Sequence, residues 1–301
     1  MTFGEKLKEL RQRKKISQEQ LAEKLYVSRQ AVTKWENGTG MPDVENLIAI
    51  AALFNESLDN LLSNEKTILT KHEFLYESKT EYDLDEEKRI DIKIGCAHEV
   101  VVQKTEKEKI QIMLASNKLS QIMQDVKVKI REGSRRMDVF VNRNKDFSDM
   151  QARDFLVVLI KIPERFVAHL EISAVTENLV VRDIQLDNLE FCGKLKNGFF
   201  TNASGHIELD VFCDINVEVD RFKGKIDFNQ LYSASVLKIK SGSCYLRRIG
   251  TKNRFVDSNG TLIELRKSRK NDSEYLQKSK EFDFIAEIAG LASELKVINA
   301  E

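Results

Sequence analysis

The side chains best able to read another molecule stand in SRQAVTKWENG, residues 28–38. Arg29 and Gln30 adjoin at its front, Thr33 and Lys34 follow one helical turn later, and Asn37 lies beyond them. A guanidinium can give two parallel hydrogen bonds to guanine, and a carboxamide can do the same with adenine. Lys34 and Asn37 suit phosphate oxygens better than base edges. Elsewhere the chemistry-bearing residues are scattered. The histidines (His72, His98, His169, His206) lie far apart, and the cysteines (Cys96, Cys192, Cys213, Cys244) lack any C-x-x-C spacing. No catalytic residue, metal centre or cofactor is expected from them. The cysteines read as reduced, packed thiols of a cytoplasmic chain.

Arg29 and Gln30 point outward only if neighbouring elements hold them there. Phe3, Leu7 and Leu10 recur at helical spacing, which predicts a surface helix with one apolar stripe. Ser17-Gln18-Glu19-Gln20 forms a capping box that opens a second helix, with Leu21, Ala22 and Leu25 inward. Ser28 caps a third helix that buries Val32 and Trp35, and Gly38 stops it. Asp43 caps a fourth helix, carrying Val44, Leu47, Ile48, Ala51 and Phe54. Ser57 begins a short fifth, with Leu58, Leu61 and Leu62. Only Tyr26 and Val27 join the second helix to the third, so the two must cross steeply, as a helix-turn-helix. In that arrangement the amino end of the second member enters a DNA major groove. Gln18, at the amino end of the first member, is placed to meet a phosphate.

Charge agrees with this once it is taken locally. The chain as a whole carries 48 basic and 48 acidic residues. Residues 1–34 hold nine Lys or Arg against four Asp or Glu, whereas residues 35–63 hold five acids and no base. A polyanion meets the local field, not the sum.

Residues 3–63 resemble the phage-repressor and Cro type of helix-turn-helix domain. The matching stretches are SQEQLAEKL, VSRQAVTKWENG, PDVENLIAIAALF and SLDNLL. The resemblance implies an all-α, five-helix domain that binds double-stranded DNA, usually as a homodimer on a near-palindromic operator, with Gln18, Ser28, Arg29, Gln30, Thr33, Lys34 and Asn37 at the interface. It also implies an ion pair between Arg11 and Glu36. Tyr26 departs from the pattern, because that turn position usually holds Gly or Asn with positive φ.

The remaining chain has another period. Residues 64–88 are highly charged and read as a linker, partly helical. From Arg89 apolar and polar residues alternate, which predicts strands. AHLEI at Ala168, DNLEF at Asp187, GHIEL at Gly205, GKIDF at Gly224, GSCYL at Gly242 and GTLIEL at Gly260 recur at steps of 18 or 19 residues. A second track starts at Asn178, Asn197, Asn216, Ser235 and Asn253. Two tracks with one period predict an all-β solenoid over residues 89–272, in which Leu170, Leu189, Ile207, Ile226 and Cys244 stack as an internal ladder. An antiparallel sandwich is the alternative. Glu171, Glu190, Glu208 and Asp227 would form an outward acidic ladder, read either as a face for a cation or basic partner or as a solvated face neutralised by neighbouring lysines. His169 and His206 fall two coils apart, about 10 Å, too far to share a metal. The region resembles repetitive β domains often labelled adhesins, on KIPERFVAHLEIS, ASGHIEL and KSGSCYL. Phe282, Ile285, Ile288, Ala289, Ala292 and Leu295 predict a helix in residues 273–301, which either caps the last coil or pairs with a second copy.

The functional expectation is a regulator of transcription, a repressor, whose β domain oligomerises or receives a signal from a protein or small-molecule effector. The alternative is a partner-binding scaffold with an accessory DNA-binding head. The longest apolar run, Phe155–Ile160, is too short to cross a bilayer, so no membrane association is expected.

Overall fold

The computed structural model describes residues 3–14, 16–54, 74–250, 252–267, 273–275 and 282–299. The chain divides into two compact units, Met1–Glu73 and Phe74–Glu301.

In the first unit α1 (Phe3–Arg13), α2 (Gln18–Lys24), α3 (Arg29–Glu36) and α4 (Val44–Phe54) surround one core. Leu7, Leu21, Val32 and Ile50 are fully buried at its centre, with Phe3, Ala22, Trp35 and Phe54 around them. The caps form as the sequence predicts. Ser17 accepts from the Gln20 amide while the Gln20 side chain accepts from the Ser17 amide, and Ser28 accepts from Ala31. Asp43 accepts from the Asn46 amide at the head of α4. Tyr26 adopts φ 55° and is 96% exposed, so the turn takes the left-handed form with a side chain that repays nothing by packing. The fifth helix expected from Ser57 lies outside the described residues.

The second unit is β-rich. Its elements run β1 (Tyr76–Asp83), β2 (Lys88–Lys104), β3 (Lys109–Ser116), α5 (Ile122–Asp125), β4 (Val126–Glu132), β5 (Arg136–Arg143), α6 (Asp149–Phe155), β6 (Val157–Ile162) and β7 (Val167–Val211). β8 (Asn216–Asp220), β9 (Lys223–Leu231), β10 (Ala234–Ile239), β11 (Cys244–Arg248), β12 (Arg254–Val256), β13 (Arg266–Lys267), β14 (Ser273–Tyr275), β15 (Phe284–Leu291) and β16 (Glu294–Asn299) follow, and all sixteen strands join one sheet. Two parallel tracks dominate it. In the first, β5, β2, β7, β9, β15 and β11 lie side by side, and in the second β6, β2, β7, β8, β10, β16 and β12 do. β2 serves both tracks because it bends at Gly95, whose φ is 75°. Antiparallel strands finish the stack, β4 on β5 and β3 on β6 at one end, β14 on β11 at the other. β4 exposes Lys127, Lys129 and Arg131 along its rim, and such edge charges discourage further strand pairing.

Apolar residues alternate inward and meet between the tracks. Ile207 stands opposite Ile226 in register, and both are buried. Corners between strands demand special backbone. Gly205 has φ 128°, and a Cβ there would sit 1.6 Å from the Leu186 carbonyl oxygen.

Four expectations are corrected. Residues 76–83, placed in the linker, form β1 on β3, because Tyr76, Ser78, Thr80 and Tyr82 alternate half-buried with exposed charges. The C-terminal helix is replaced by β15 and β16. Its apolar residues fit a period of two as well as 3.6, Phe284, Ala286 and Ile288 all facing the core, and Gly290 at φ 92° breaks the run. These strands insert into the stack, so Ile226 stands beside Ala286, and Ala286 beside Leu246 rather than Cys244. The GTLIEL stretch adds no coil: Leu262 makes a single antiparallel bridge to Val256 and is 57% exposed.

Candidate nucleic-acid interface

α3 owes its position to the face it buries. Val32 and Trp35 fall on that side, and Ala22, 3% exposed, marks the close crossing with α2. Ser28, Arg29, Gln30, Lys34 and Asn37 are exposed, while Gln18 and Thr33 are half-buried. The structure brings Arg29 and Gln30 together at the amino end, where orphan backbone N–H groups and the helix dipole also favour an anion. Lys34 and Asn37 lie further along, Asn37 as the C-cap. Ser28 turns its hydroxyl to its own helix, as acceptor for the Ala31 amide at 3.2 Å.

Beneath α3 lies a buried polar network. The Glu36 side chain is 1% exposed and accepts two hydrogen bonds from Arg11, at 2.6 Å from Nε and 2.9 Å from Nη2. Arg11 Nη1 also donates to the Ile16 carbonyl at 3.0 Å. Gln18 Nε2 donates to Glu36 Oε2 at 2.8 Å. The Thr33 hydroxyl lies 3.2 Å from Gln18 Oε1 and 3.0 Å from the Arg29 carbonyl, and donates to one of them. Burial pushes the Glu36 carboxyl up, but the hydrogen bonds from Arg11 and Gln18 outweigh it and hold the group below its usual range. Glu36 in turn raises Arg11. A bidentate pair of this kind stays charged and fixes two helices by geometry.

The network changes what Gln18 and Thr33 can offer. Both were expected as outward contacts. Gln18 keeps one amide hydrogen for an outside acceptor, and Thr33 keeps its methyl and lone pairs. The role missed in the sequence is the joining of α1, α2 and α3 through Gln18 and Thr33. A signal was present: Thr33 and Glu36 are three apart, hence on one helix face, and Glu36 adjoins core Trp35.

Comparisons with known proteins address the two units separately. Residues 7–61 match the family described as Helix-turn-helix. The HTH-type transcriptional activator BcrR of Enterococcus faecalis is 53% identical over 68 residues, 23% of this chain and 33% of that protein. The HTH-type transcriptional regulator YqaE of Bacillus subtilis is 45% identical over 67 residues, 21% of this chain and 58% of that protein. In both cases the match spans less than two thirds of the relative. The prophage-derived HTH-type regulator YonR of B. subtilis is 33% identical over 78 residues, 26% of this chain and 72% of its own length. A solved structure of a candidate cell adhesion protein from Clostridium sporogenes aligns over 75% of this chain and 99% of its own, at 10% identity and a TM-score of 0.34. A candidate adhesin from Bacteroides fragilis aligns over 75% and 98%, at 10% identity and a TM-score of 0.30. Among the described residues no helix is long and apolar enough to cross a membrane.

Proposed function

The chain belongs to the helix-turn-helix family of transcriptional regulators, and from that premise we propose that it binds an operator in double-stranded DNA through α3, as a homodimer in the cytoplasm. Arg29 and Gln30 read base edges, Lys34 and Asn37 meet phosphates, and Gln18 gives its remaining amide hydrogen to a phosphate. The observation that carries this reading is the exposed Arg29–Gln30 pair at the head of a helix whose orientation the Arg11–Glu36–Gln18 network holds. A side chain that reads a base must arrive without paying for a search of orientations, and a locked helix supplies that.

The β unit is best described as a β-solenoid, because parallel register along both tracks is what stacked coils require and a sandwich of hairpins does not. We assign it to oligomerisation or to reception of a signal, and read the outcome at the promoter as repression. Activation is the second reading, favoured by the name of the E. faecalis relative. Binding of the full chain to its own upstream region, followed by fluorescence anisotropy, tests the DNA assignment. Arg29→Ala should weaken the cognate site while leaving random DNA little changed; equal losses on both would leave Arg29 a phosphate contact. A reporter fused to that region decides the sign of regulation.

A further inference from the structure

The core between the two tracks opens at the last strands of the sheet. Cys244 and Leu246 of β11, Val297 of β16 and Ile239 of β10 are between 4% and 8% exposed. Their in-register neighbours one strand inward, Phe284, Ala286, Leu237 and Val219, are at most 1% exposed. The four side chains line one cavity of about 490 Å³, a volume that suits a small ligand. Burial pushes the Cys244 thiol up to about 12, so it stands in the wall as a neutral, apolar group.

The remaining wall comes from Asp257 and the GTLIEL stretch, and it brings charge to an apolar place. β12 pairs Arg254, Phe255 and Val256 with Glu294, Leu295 and Lys296, so Asp257 comes next to Val297. Phe255 and Leu295 face the core, and strand alternation turns Asp257 the same way. The column that holds Val217, Leu237 and Val297 in register thus continues in a carboxylate. A tight turn fixes it. The Ile263 amide donates to the Phe255 carbonyl and the Asp257 amide to the Thr261 carbonyl, both at 2.9 Å. Asp257 Oδ1 accepts from the Asn259 and Thr261 amides, both at 2.8 Å, which leaves Oδ2 for the cavity. Glu264 lines the same cavity as a second carboxylate, beside Leu262 and Ile263. Among the described residues no Lys, Arg or His lines the cavity, and none pairs with either carboxylate. An apolar cleft with two unanswered negative charges favours a cation with an apolar body and rejects an anion.

We propose that this cavity binds a small organic amine. The apolar body rests against Ile239, Cys244, Leu246 and Val297, and the ammonium group meets the Asp257 and Glu264 carboxylates. The turn that carries Asp257 is held by its own hydrogen bonds, so the carboxylate is in place before the ligand arrives and no ordering of the loop opposes binding. The inference deepens the assignment of the β unit to reception of a signal, and rests on that reading only for what the bound amine then does to the operator.

Calorimetric titration of the full chain with phenethylamine, phenethyl alcohol and hydrocinnamate tests this. The three probes share a ring on a short chain and differ in charge. The amine should bind at one equivalent, the alcohol at least about tenfold more weakly, and the carboxylate not at all. Asp257→Asn keeps an acceptor for both turn amides, and should weaken the amine at least about tenfold while leaving the alcohol unchanged. Glu264→Gln should act in the same direction by a smaller factor. Equal binding of amine and alcohol overturns the proposal. So does amine binding that survives both substitutions together, or no binding of the amine at millimolar concentration. Circular dichroism shows whether each variant is folded; a misfolded Asp257→Asn leaves the three probes on the unaltered chain and the Glu264→Gln titration to decide. Operator affinity with and without the amine is a separate measurement: an amine that binds and leaves it unchanged removes signal reception from the β unit, and the site stands.

Discussion

The two units place their important residues by opposite means. In the helical unit the polar network beneath α3 spans Arg11 to Glu36, 25 residues apart. Each helix there is announced by its own caps and stripe, and packing only completes what local sequence begins. In the β unit no strand can bury its own face alone. Ile226 meets Ala286 across 60 positions, and Lys225 meets Glu287 across 62. The difference teaches where damage should travel: a fault in the helical unit stays within three helices, whereas a fault in the sheet is shared by the strands on both sides.

The strongest way to break this comparison is Ile207→Asp. Ile207 is 3% exposed and stands beside Ile226, so an aspartate would be buried without a partner, at a cost on the order of 3–5 kcal/mol. Urea unfolding of the full chain should show the β transition moving and the helical one staying. A common shift would mean that the units do not unfold separately. Glu208→Lys, one residue on and facing outward, should stay within about 0.5 kcal/mol; a large loss there would invert the register.

Arg11→Ala comes next, at about 3 kcal/mol in the helical unit, because it strands the buried Glu36 carboxylate. The pH dependence sharpens it. The Glu36 carboxyl is held below its usual range, so its stabilisation is fully present above the ordinary carboxylate pKa and is lost as pH falls through the lower folded value. In Arg11→Ala the burial that raises Glu36 loses its chief opponent. The deficit of the variant should therefore shrink on acidification, and a deficit constant from pH 7 to pH 3 would show that the ion pair is not its source. Arg29→Ala should cost about 1–3 kcal/mol on the operator and nothing in unfolding, since the side chain is exposed. The smallest effect is a gain. Tyr26→Asn relieves a left-handed backbone at an exposed position, and should raise helical-unit stability by up to about 1 kcal/mol in thermal melts.

The contrast also explains what could be read in advance. Ser17, Gln20 and Ser28 made the caps foreseen for them, and Tyr26 took the positive φ that its position required, because these choices are settled within four residues. The 18- and 19-residue steps exposed Ile207 and Ile226 as neighbours for the same reason: the signal repeats at a fixed distance. Residues 284–299 carried no such signal. Their apolar spacing fits a helix or a strand equally, and only an open place between β9 and β11 selects the strand. Tyr76–Asp83 looked like a charged linker because half its residues face solvent.

That late insertion has a bearing on manufacture. A chain leaves the ribosome amino end first, yet β11 and β12 lie outside β15 and β16, which are made after them. Once Lys223–Ile239 has paired, the next strands to emerge, in residues 244–256, find a matching edge that belongs to a segment still unmade. Docking there early would put Cys244 where Phe284 belongs, one of the pairings the finished molecule must exclude. Translation speed over residues 244–291 thus becomes a variable of assembly, and slowing it with rare codons should lower the yield of correctly assembled chain without changing a single residue.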